Sequence, residues 1–302
     1  MTQKSFGLIG CPLGHSMSPF LQGRLFSAAG VQAEYRLFEL APGTLASALP
    51  ALRELDGFNV TIPYKSEIIP YLDEVDGTAA FFGSVNTVKN ENGRLIGCST
   101  DGEGFLFALD ACGVQVSGAR VLLLGYGGAS RAMGGTALLS GAKSILIAGR
   151  SPERAAPLLR DLHTLVNARG LPCDLAAVPL SALESSLAGE SWDLLVNGTP
   201  VGMHPHPDQI PVPEDVVRRC GAVFDAVYNP DETELLRAAE RAGVPAVHGM
   251  LMLCGQAAAS QSFWGMGRCG RGALLQLSRD AVAEIYHAKL LIREIGETDD
   301  RP

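Results

Sequence analysis

The stretch VLLLGYGGASRA, residues 121–132, determines the fold class expected for this chain of 302 residues. Four apolar residues lead into Gly125, Gly127 and Gly128, and small residues follow, which is the pattern of a buried strand that turns directly into a helix. Glycines at such a turn let backbone N–H groups and a helix N-terminus approach a pyrophosphate group. The alternative is a glycine-rich turn that only packs strand against helix. The position of the glycines at a strand–helix junction favours dinucleotide binding.

The residues after the next predicted strand, SILIAG, bear on the choice of dinucleotide. Rossmann domains that select NAD usually place Asp or Glu about 20 residues after the glycines. Here the strand is followed by Arg150 and Ser151 instead. Arg150 and Arg154, together with Arg131, could clamp a 2′-phosphate through guanidinium hydrogen bonds, which predicts NADP. In the alternative interpretation, Arg150 and Arg154 are solvated residues at the start of a helix, and Glu153 binds the ribose hydroxyl.

Short apolar strands alternate with helical stretches on both sides of the loop, which predicts βαβ units around parallel sheets. Before the loop, the predicted strands are SFGLIG, AEYRLFEL, GFNVTI and the two halves of SVNTVKNENGRLIGCS. The predicted helices between them are PFLQGRLFSAAG, GTLASALPALREL and YKSEIIPYLDEV. From residue 119 on, ARVLLLG, SILIAG, LAAVPL, DLLVNGT, AVFDAVY and VPAVHG form a Rossmann-type series of strands. Past Gly249 the pattern becomes helical.

Length and composition exclude several classes of protein. The chain is longer than one ordinary core, which predicts two domains, and its 47% hydrophobic and 19% charged residues are typical of a globular enzyme. A net charge of −8 with no Lys/Arg-rich run argues against nucleic acid as a partner. Apolar runs end well before the ~20 residues of a membrane span, and the first residues lack a secretory pattern. Seven scattered cysteines without a CxxC pair argue against a disulfide framework or zinc site and predict a reducing cytoplasm.

Lys65 and Asp101 are the candidates for chemistry in the first third of the chain. Each follows a predicted strand, and ligands of parallel sheets bind beyond the carboxyl ends of the strands. Reduction of a ketone needs a proton donor at the carbonyl oxygen and a partner that aims the donor. Taken singly, Lys65 could be solvated, Asp101 could cap a helix beginning near Glu103, and Ser18 could cap a helix before Pro19. Residue types alone leave both interpretations open.

Eight motifs occur in order along the chain: HSMSP (15–19), NVTIPYK (59–65), GSVNTV (83–88), STDGEG (99–104), GYGGASR (125–131), NGTPVGM (197–203), DAVYNPDETELL (225–236) and MLCGQAA (252–258). Together they resemble the shikimate dehydrogenase family. The resemblance implies an α/β fold with a mainly parallel substrate domain, residues 1–102 plus 249–302, and a Rossmann NADP-binding domain, residues 103–248. The C-terminal helices would pack back on the substrate domain. The implied reaction is the reversible NADPH-dependent reduction of 3-dehydroshikimate to shikimate, without a metal.

The resemblance also implies a role for individual residues. Lys65 would pass a proton to and from the reacting oxygen, and Asp101 would orient it. The substrate contacts would come from Ser16 and Ser18 at the carboxylate, from Thr61, Asn86, Asp101 and Gln256 at the ring hydroxyls, and from Tyr228 closing the site. The cofactor contacts would come from Gly125, Gly127, Gly128 and Ala129 at the pyrophosphate, Arg150, Ser151 and Arg154 at the adenosine phosphate, and Ala226 and Gly249 at the nicotinamide. Asn197 and Thr199 end a strand at the cleft, where turn chemistry is an equal explanation.

Some positions depart from the family pattern. Ser99 stands where Asn is usual, and Leu251 stands where Gly is frequent. Gly149 stands where Asn or Ser commonly precedes the phosphate-binding arginine. Because glycine has no side chain, a possible hydrogen bond near the 2′-phosphate is missing. The helical end, 270–295, is longer than is usual in the family. Its apolar positions could cover the substrate domain or face a partner subunit, so the protein is expected to be a monomer or a homodimer. A quinate or aminoshikimate enzyme and a non-catalytic NADP or metabolite sensor are the alternatives. The retained NVTIPYK string favours shikimate.

Overall fold

The structure, a computed structural model, describes residues 3–14, 16–187 and 189–296, which form two six-stranded sheets in succession. The first sheet contains β1 (Lys4–Gly10), β2 (Ala33–Glu39), β3 (Gly57–Val60), β4 (Glu74–Val75), β5 (Thr87–Glu91) and β6 (Arg94–Cys98). The second contains β7 (Arg120–Leu124), β8 (Ser144–Gly149), β9 (Asp174–Pro179), β10 (Leu194–Asn197), β11 (Val223–Asp225) and β12 (Ala246–Val247). The predicted α/β class is confirmed.

The helices lie between and after these strands. They are α1 (Ser18–Ala28), α2 (Leu45–Leu52), α3 (Gly77–Phe82), α4 (Asp101–Ala111), α5 (Gly128–Leu139), α6 (Pro152–Arg169), α7 (Leu183–Ser186), α8 (Glu214–Val217), α9 (Glu234–Ala242), α10 (Gly249–Phe263) and α11 (Arg271–Gly296). Across the described ranges, every helix is too short or too polar to pass through a lipid bilayer.

The second sheet has the order β12-β11-β10-β7-β8-β9, with all strands parallel. Residues 121–124 of the central strand β7 are fully buried, as a parallel sheet covered on both faces requires. The strand order changes direction beside β7, so the carboxyl ends of β7 and β10 form the crevice in which ligands of such sheets bind. The Rossmann-type prediction from the glycine loop is therefore confirmed.

The first sheet has the order β2-β1-β3-β5-β6-β4 and is only partly parallel. Strands β2, β1 and β3 run parallel, whereas β5 is antiparallel to both β3 and β6. The antiparallel pair β5–β6 is the hairpin predicted from the polar turn in SVNTVKNENGRLIGCS. The carboxyl end of β3 therefore lies next to the start of β5, which brings the NVTIPYK and GSVNTV motifs together.

The C-terminal helices pack back on the first sheet, as predicted. Helix α10 crosses α4 at Gly104 and Gly255, where a Cβ atom on Gly255 would lie 2.9 Å from the Cα atom of Gly104. At the end of α10, the Trp264 indole donates a hydrogen bond of 2.9 Å to the Val88 carbonyl of β5. The buried face of α11 contacts α1 and α10 through Leu274, Leu277, Ala281 and Ile285. The polar tail at 297–302 and the side chain of Leu290 lie outside the described part.

The helix predicted for YKSEIIPYLDEV, residues 64–75, is wrong. The segment instead forms turns, a short 3₁₀ helix at Ile69–Tyr71 and the edge strand β4. Tyr64 is buried, and its hydroxyl donates to the carbonyls of Leu40 at 2.7 Å and Ala41 at 2.9 Å. Further along, the Asp73 N–H donates to the Leu95 carbonyl at 2.8 Å, so the backbone pairs with the sheet edge. These tertiary contacts outweigh the local helical pattern.

Candidate active site

Lys65 and Asp101 form an ion pair beyond the carboxyl end of β3. The Lys65 Nζ atom lies 2.5 Å from Asp101 Oδ2, and the two side chains are 22% and 3% exposed. The Lys65 backbone is fixed from the other side, because its carbonyl accepts a hydrogen bond of 2.8 Å from the Val85 N–H. The lysine therefore presents a partly accessible ammonium group on a buried carboxylate. The pair predicted from two separate strand ends is brought together by the fold.

Asp101 does not act as the helix cap that one interpretation of the sequence suggested. Helix α4 begins at Asp101 itself, Thr100 occupies the cap position, and the carboxylate oxygens contact other elements. Oδ2 faces Lys65, and Oδ1 accepts a hydrogen bond of 2.8 Å from the Asn86 amide. The first turn of a helix favours a negative charge, because the N-terminal end of the macrodipole is positive. Burial and helix position together hold the carboxylate in one orientation.

The side-chain amide of Asn86 links Asp101 to the C-terminal helix α10. Besides Asp101, its Nδ2 atom lies 3.0 Å from Thr100 Oγ1 and 3.2 Å from Gln256 Oε1, and its Oδ1 atom accepts from the Thr100 N–H at 2.8 Å. Asn86 is buried, and Gln256 is half-buried. Asn86 and Gln256, both assigned to the ring hydroxyls by resemblance, thus contact each other, and Asn86 also contacts Asp101.

Sequence reasoning missed a buried polar network behind these residues. Asn59 on β3 accepts a hydrogen bond of 2.8 Å from the Tyr35 hydroxyl, and its amide donates to Thr87 and Ser260 at 3.0 Å each. Thr87 in turn donates to Asn86 at 3.0 Å. The available signal was the polar Asn59 within an otherwise apolar strand, since such a residue requires buried partners.

Ser16 and Ser18 lie at the start of α1 and are half-buried. The Ser16 hydroxyl accepts a hydrogen bond of 3.3 Å from the Ser18 N–H. Met17 occupies the cap position and Ser18 is the first helical residue, so the expectation that Ser18 precedes the helix as its cap is wrong by one position. The Ser18 side chain lies near the Tyr35 hydroxyl, which in turn donates to Asn59, so the serines adjoin this network.

Thr61 and Tyr228 approach from two different parts of the chain. Thr61 follows β3 directly and is half-buried, and its N–H donates to the Ile9 carbonyl of β1 at 2.9 Å. Tyr228 follows β11 of the second sheet yet packs against a hydrophobic cluster formed by residues of α1, α10 and α11. A residue that follows the second sheet therefore packs against helices that cover the first sheet.

The glycine loop leaves open space at the N-terminus of α5, where a pyrophosphate could be held. Gly125 ends the buried strand with φ of 95°, a conformation that favours glycine. Gly127 is the cap of α5, and a Cβ atom there would meet no protein atom within 4 Å, so packing does not explain this glycine. Gly128 opens the helix, and Ala129 follows it. Open space at a helix N-terminus fits a phosphate group.

The three arginines predicted to clamp a 2′-phosphate differ in their contacts. Arg131 forms an ion pair with Asp161 of α6. A phosphate group would therefore compete with Asp161 for the Arg131 guanidinium. Arg150 and Arg154 are exposed, and neither has an acidic partner within 4 Å among the described side chains. Ser151 donates a hydrogen bond of 2.6 Å to Glu153. The Arg154 guanidinium lies 5.3 Å from the ring centroid of Tyr126 in the glycine loop.

Ala226 and Gly249 are in direct contact. A Cβ atom on Gly249 would lie 2.6 Å from the Val227 carbonyl oxygen and 2.7 Å from that of Ala226, so only glycine allows α10 to start against this backbone. Next to them, the buried Asp225 accepts hydrogen bonds from Asn197 at 2.9 Å, Val227 N–H at 3.0 Å and Thr233 at 2.6 Å. Burial raises the pKa of Asp225 to about 6.

Asn197 and Thr199 show the turn chemistry that was one of their two interpretations. Asn197 is fully buried, and its Oδ1 atom accepts from the Thr199 N–H at 3.0 Å and from the Thr199 hydroxyl at 2.7 Å. Its amide donates to Asp225, which the sequence had not singled out. The strand end at β10 is thereby tied to the strand end at β11.

Comparisons with known proteins agree with this geometry. Residues 8–88 match the model of the shikimate dehydrogenase substrate binding domain. The shikimate dehydrogenase (NADP(+)) of Moorella thermoacetica is 41% identical over 260 residues, which are 85% of this chain and 86% of that protein. That of Methanothermobacter thermautotrophicus is 38% identical over 284 residues, 93% of this chain and 96% of that protein.

A solved structure extends the likeness to three dimensions. The shikimate 5-dehydrogenase of Thermus thermophilus, crystallised in complex with NADP(H) and shikimate, superposes with a TM-score of 0.80 at 31% identity, covering 92% of this chain and 100% of that one. Sequence identity of this extent leaves no ambiguity about descent. The chain belongs to the shikimate dehydrogenase family.

Proposed function

We propose that this protein catalyses the reversible reduction of 3-dehydroshikimate to shikimate with NADPH. The ion pair between Lys65 and the buried Asp101 carries the proposal. Ketone reduction requires a proton donor aimed at the carbonyl oxygen, and an ammonium group fixed by a buried carboxylate meets that requirement. The family to which the chain belongs supports the same substrate and cofactor.

The protein's own residues would handle the proton and the orientation. When bound, NADPH supplies the hydride. Lys65 donates a proton from Nζ to the ketone oxygen, and in the reverse direction it accepts the proton of the hydroxyl. Asp101 keeps Nζ on one side of the site and balances its charge. A donor held in place before the reaction loses no orientational freedom at the transition state.

Substrate contacts are assigned to residues around this pair. We assign Ser16 and Ser18 to the substrate carboxylate, because both hydroxyls lie at the N-terminus of α1. Thr61 and Gln256 are assigned to ring hydroxyls, together with Tyr228, which closes the site. Asn86 already uses its amide on Asp101 and Gln256, so a ring hydroxyl that reaches it would share those hydrogen bonds. We therefore give Asn86 a role in positioning Asp101.

The cofactor is assigned to the crevice at β7. Gly125, Gly127, Gly128 and Ala129 hold the pyrophosphate, Arg150, Ser151 and Arg154 hold the adenosine phosphate, and Ala226 and Gly249 line the nicotinamide end. We propose residues 1–102 plus 249–302 as the substrate domain and 103–248 as the cofactor domain. The seven cysteines are all free, which supports a location in the cytoplasm. A monomeric or homodimeric state remains a prediction.

Shikimate-dependent formation of NADPH is the direct assay. Lys65→Ala should lower kcat by about 100- to 10,000-fold with a smaller change in the KM for shikimate, because a proton donor acts mainly in the transition state. Lys89→Ala is the matched control, since Lys89 forms an ion pair with the exposed Glu91 on β5. Wild-type turnover in the Lys65 variant would remove Lys65 from this role.

A substrate panel separates the alternatives within the same experiment. Shikimate and quinate are each tested with NADP⁺ and NAD⁺. Faster turnover of shikimate with NADP⁺ supports the proposal, and faster turnover of quinate would assign the protein to the alternative substrate. Cofactor binding without turnover of any ring acid would point instead to the non-catalytic sensor.

A further inference from the structure

Tyr126 stands between Gly125 and Gly127 in the glycine loop, and its ring lies against the end of β8. A Cβ atom on Gly149 would lie 2.5 Å from Tyr126 Cε1 and 2.8 Å from Cδ1. The ring therefore occupies the space that a side chain at position 149 would need. Gly149, which departs from the family pattern, is the residue that admits this ring.

The other contact of the ring is with Arg154. The guanidinium carbon of Arg154 lies 5.3 Å from the centroid of the Tyr126 ring, within the ~6 Å range of cation–π interactions. Arg154 is in the first turn of α6 and is exposed. An exposed arginine samples many rotamers, so an aromatic surface under its guanidinium reduces the entropy lost when a ligand is bound.

The charge of Arg154 is available to a ligand. Glu153, the nearest acidic residue along the chain, accepts a hydrogen bond from Ser151 instead. Asp161, also on α6, is paired with Arg131. Within the described ranges, Arg154 thus has an aromatic contact but no acidic partner within 4 Å. A cation held in place without being neutralised is suited to a phosphate group.

We propose that Tyr126 is a positioning residue for Arg154 and thereby a determinant of the preference for NADP over NAD. Gly149 and Tyr126 form one unit, in which the glycine makes room for the ring and the ring orients the guanidinium toward the 2′-phosphate. This unit replaces the hydrogen bond that a polar side chain at position 149 would offer. The proposal rests on the assignment of Arg154 to the 2′-phosphate made above.

Calorimetric titration of the purified protein with NADP⁺ and with NAD⁺ tests the proposal without reference to activity. Tyr126→Leu should weaken NADP⁺ binding by about 3- to 10-fold and leave NAD⁺ binding within about 2-fold, since only NADP⁺ carries the phosphate. Tyr126→Phe is the matched control, because it keeps the ring, and it should bind both dinucleotides as the wild type does. Gly149→Ala, which forces the ring away, should reproduce the effect of Tyr126→Leu.

Arg154→Ala and the double variant with Tyr126→Leu separate the two assignments. Arg154→Ala alone should weaken NADP⁺ but not NAD⁺, and Tyr126→Leu should then have no further effect, because the residue it positions is gone. An equal loss of affinity for NADP⁺ and NAD⁺ in Tyr126→Leu would show that the ring only supports the loop or the adenosine that both dinucleotides share. That result would overturn the proposal. Selective loss in Arg154→Ala with none in Tyr126→Leu overturns the role of Tyr126 alone. No selective loss in Arg154→Ala overturns both assignments.

Discussion

At the scale of single residues, the Asp101 carboxylate is held by two neighbours that differ in kind. Lys65 contributes the opposite charge at Oδ2, and Asn86 contributes a neutral donor at Oδ1. A buried carboxylate without its second donor is free to rotate and is left partly unsatisfied. The orientation of Lys65 therefore depends on Asn86, although Asn86 does not touch Lys65.

Asn86→Ala should lower kcat by about 10- to 100-fold, because a misplaced donor loses transition-state stabilisation with little loss of substrate binding. The measurement is kcat and KM for shikimate, with thermal unfolding of the same samples. Ser260→Ala is the matched control, since Ser260 belongs to the same buried network through Asn59 and Thr87 but forms no hydrogen bond with Asn86 or Asp101 within the described residues. Similar loss of kcat in both variants would argue that the network serves stability only.

The pKa of Asp225, raised by burial to about 6, links folding to pH. The unfolded chain releases this proton near pH 4, so between pH 4 and pH 6 the folded protein holds a proton that the unfolded chain has lost. The free energy of unfolding should fall as pH rises through this window, by at most about 3 kcal/mol. Denaturant unfolding of wild type and Asp225→Asn at pH 4 and pH 7 isolates this difference. Parallel pH dependence in the two proteins would contradict it.

At the scale of elements, the sequence predicted best where one local pattern dominates. The strand of residues 121–124 has apolar residues on both faces and a glycine turn behind it, so no competing interpretation was strong. Segment 64–75 has a helical pattern but is held by Tyr64 and by the edge of the first sheet, which the local pattern does not contain. The network of Tyr35, Asn59 and Ser260 was missed for the same reason, because its members come from distant parts of the chain.

The crossing of α4 and α10 places Asp101 and Gln256 on adjacent helices, and it depends on glycine. A Cβ atom on Gly104 would lie 2.5 Å from the Met252 carbonyl oxygen and 2.8 Å from the Gln256 nitrogen. Gly104→Ala should therefore push the helices apart, destabilise the protein by about 1–3 kcal/mol and reduce kcat. Unfolding curves and turnover are the measurements.

Gly23→Ala provides the control for the helix crossing. Gly23 lies inside α1, and a Cβ atom there would meet no protein atom within 4 Å. The substitution should raise stability by up to about 1 kcal/mol through helix propensity and leave turnover unchanged. If Gly104→Ala were equally neutral, close approach of the two helices would not matter for the site.

At the scale of the whole molecule, the chain passes between the two sheets at two places. One passage runs through α4, which starts at Asp101, and the other joins β12 to α10 at Gly249. Both passages begin or end at residues of the candidate site. Tyr228, which follows β11, also packs against the hydrophobic cluster formed by α1, α10 and α11. Ligands that bind between the sheets would therefore act on the same segments that connect them.

We expect the two domains to close when both ligands are bound, because the ligands add contacts to each side of a cleft that is spanned by the segments at Asp101 and Gly249. Small-angle scattering should give a smaller radius of gyration with NADP⁺ and shikimate together than with either ligand alone. Lys65→Ala is the protein of choice, since it should bind both ligands while its slow turnover keeps the complex intact. Superimposable profiles for the free protein, both binary complexes and the ternary complex would contradict closure. In that case the contact of Tyr228 with α1 and α10 would be a fixed feature of the fold.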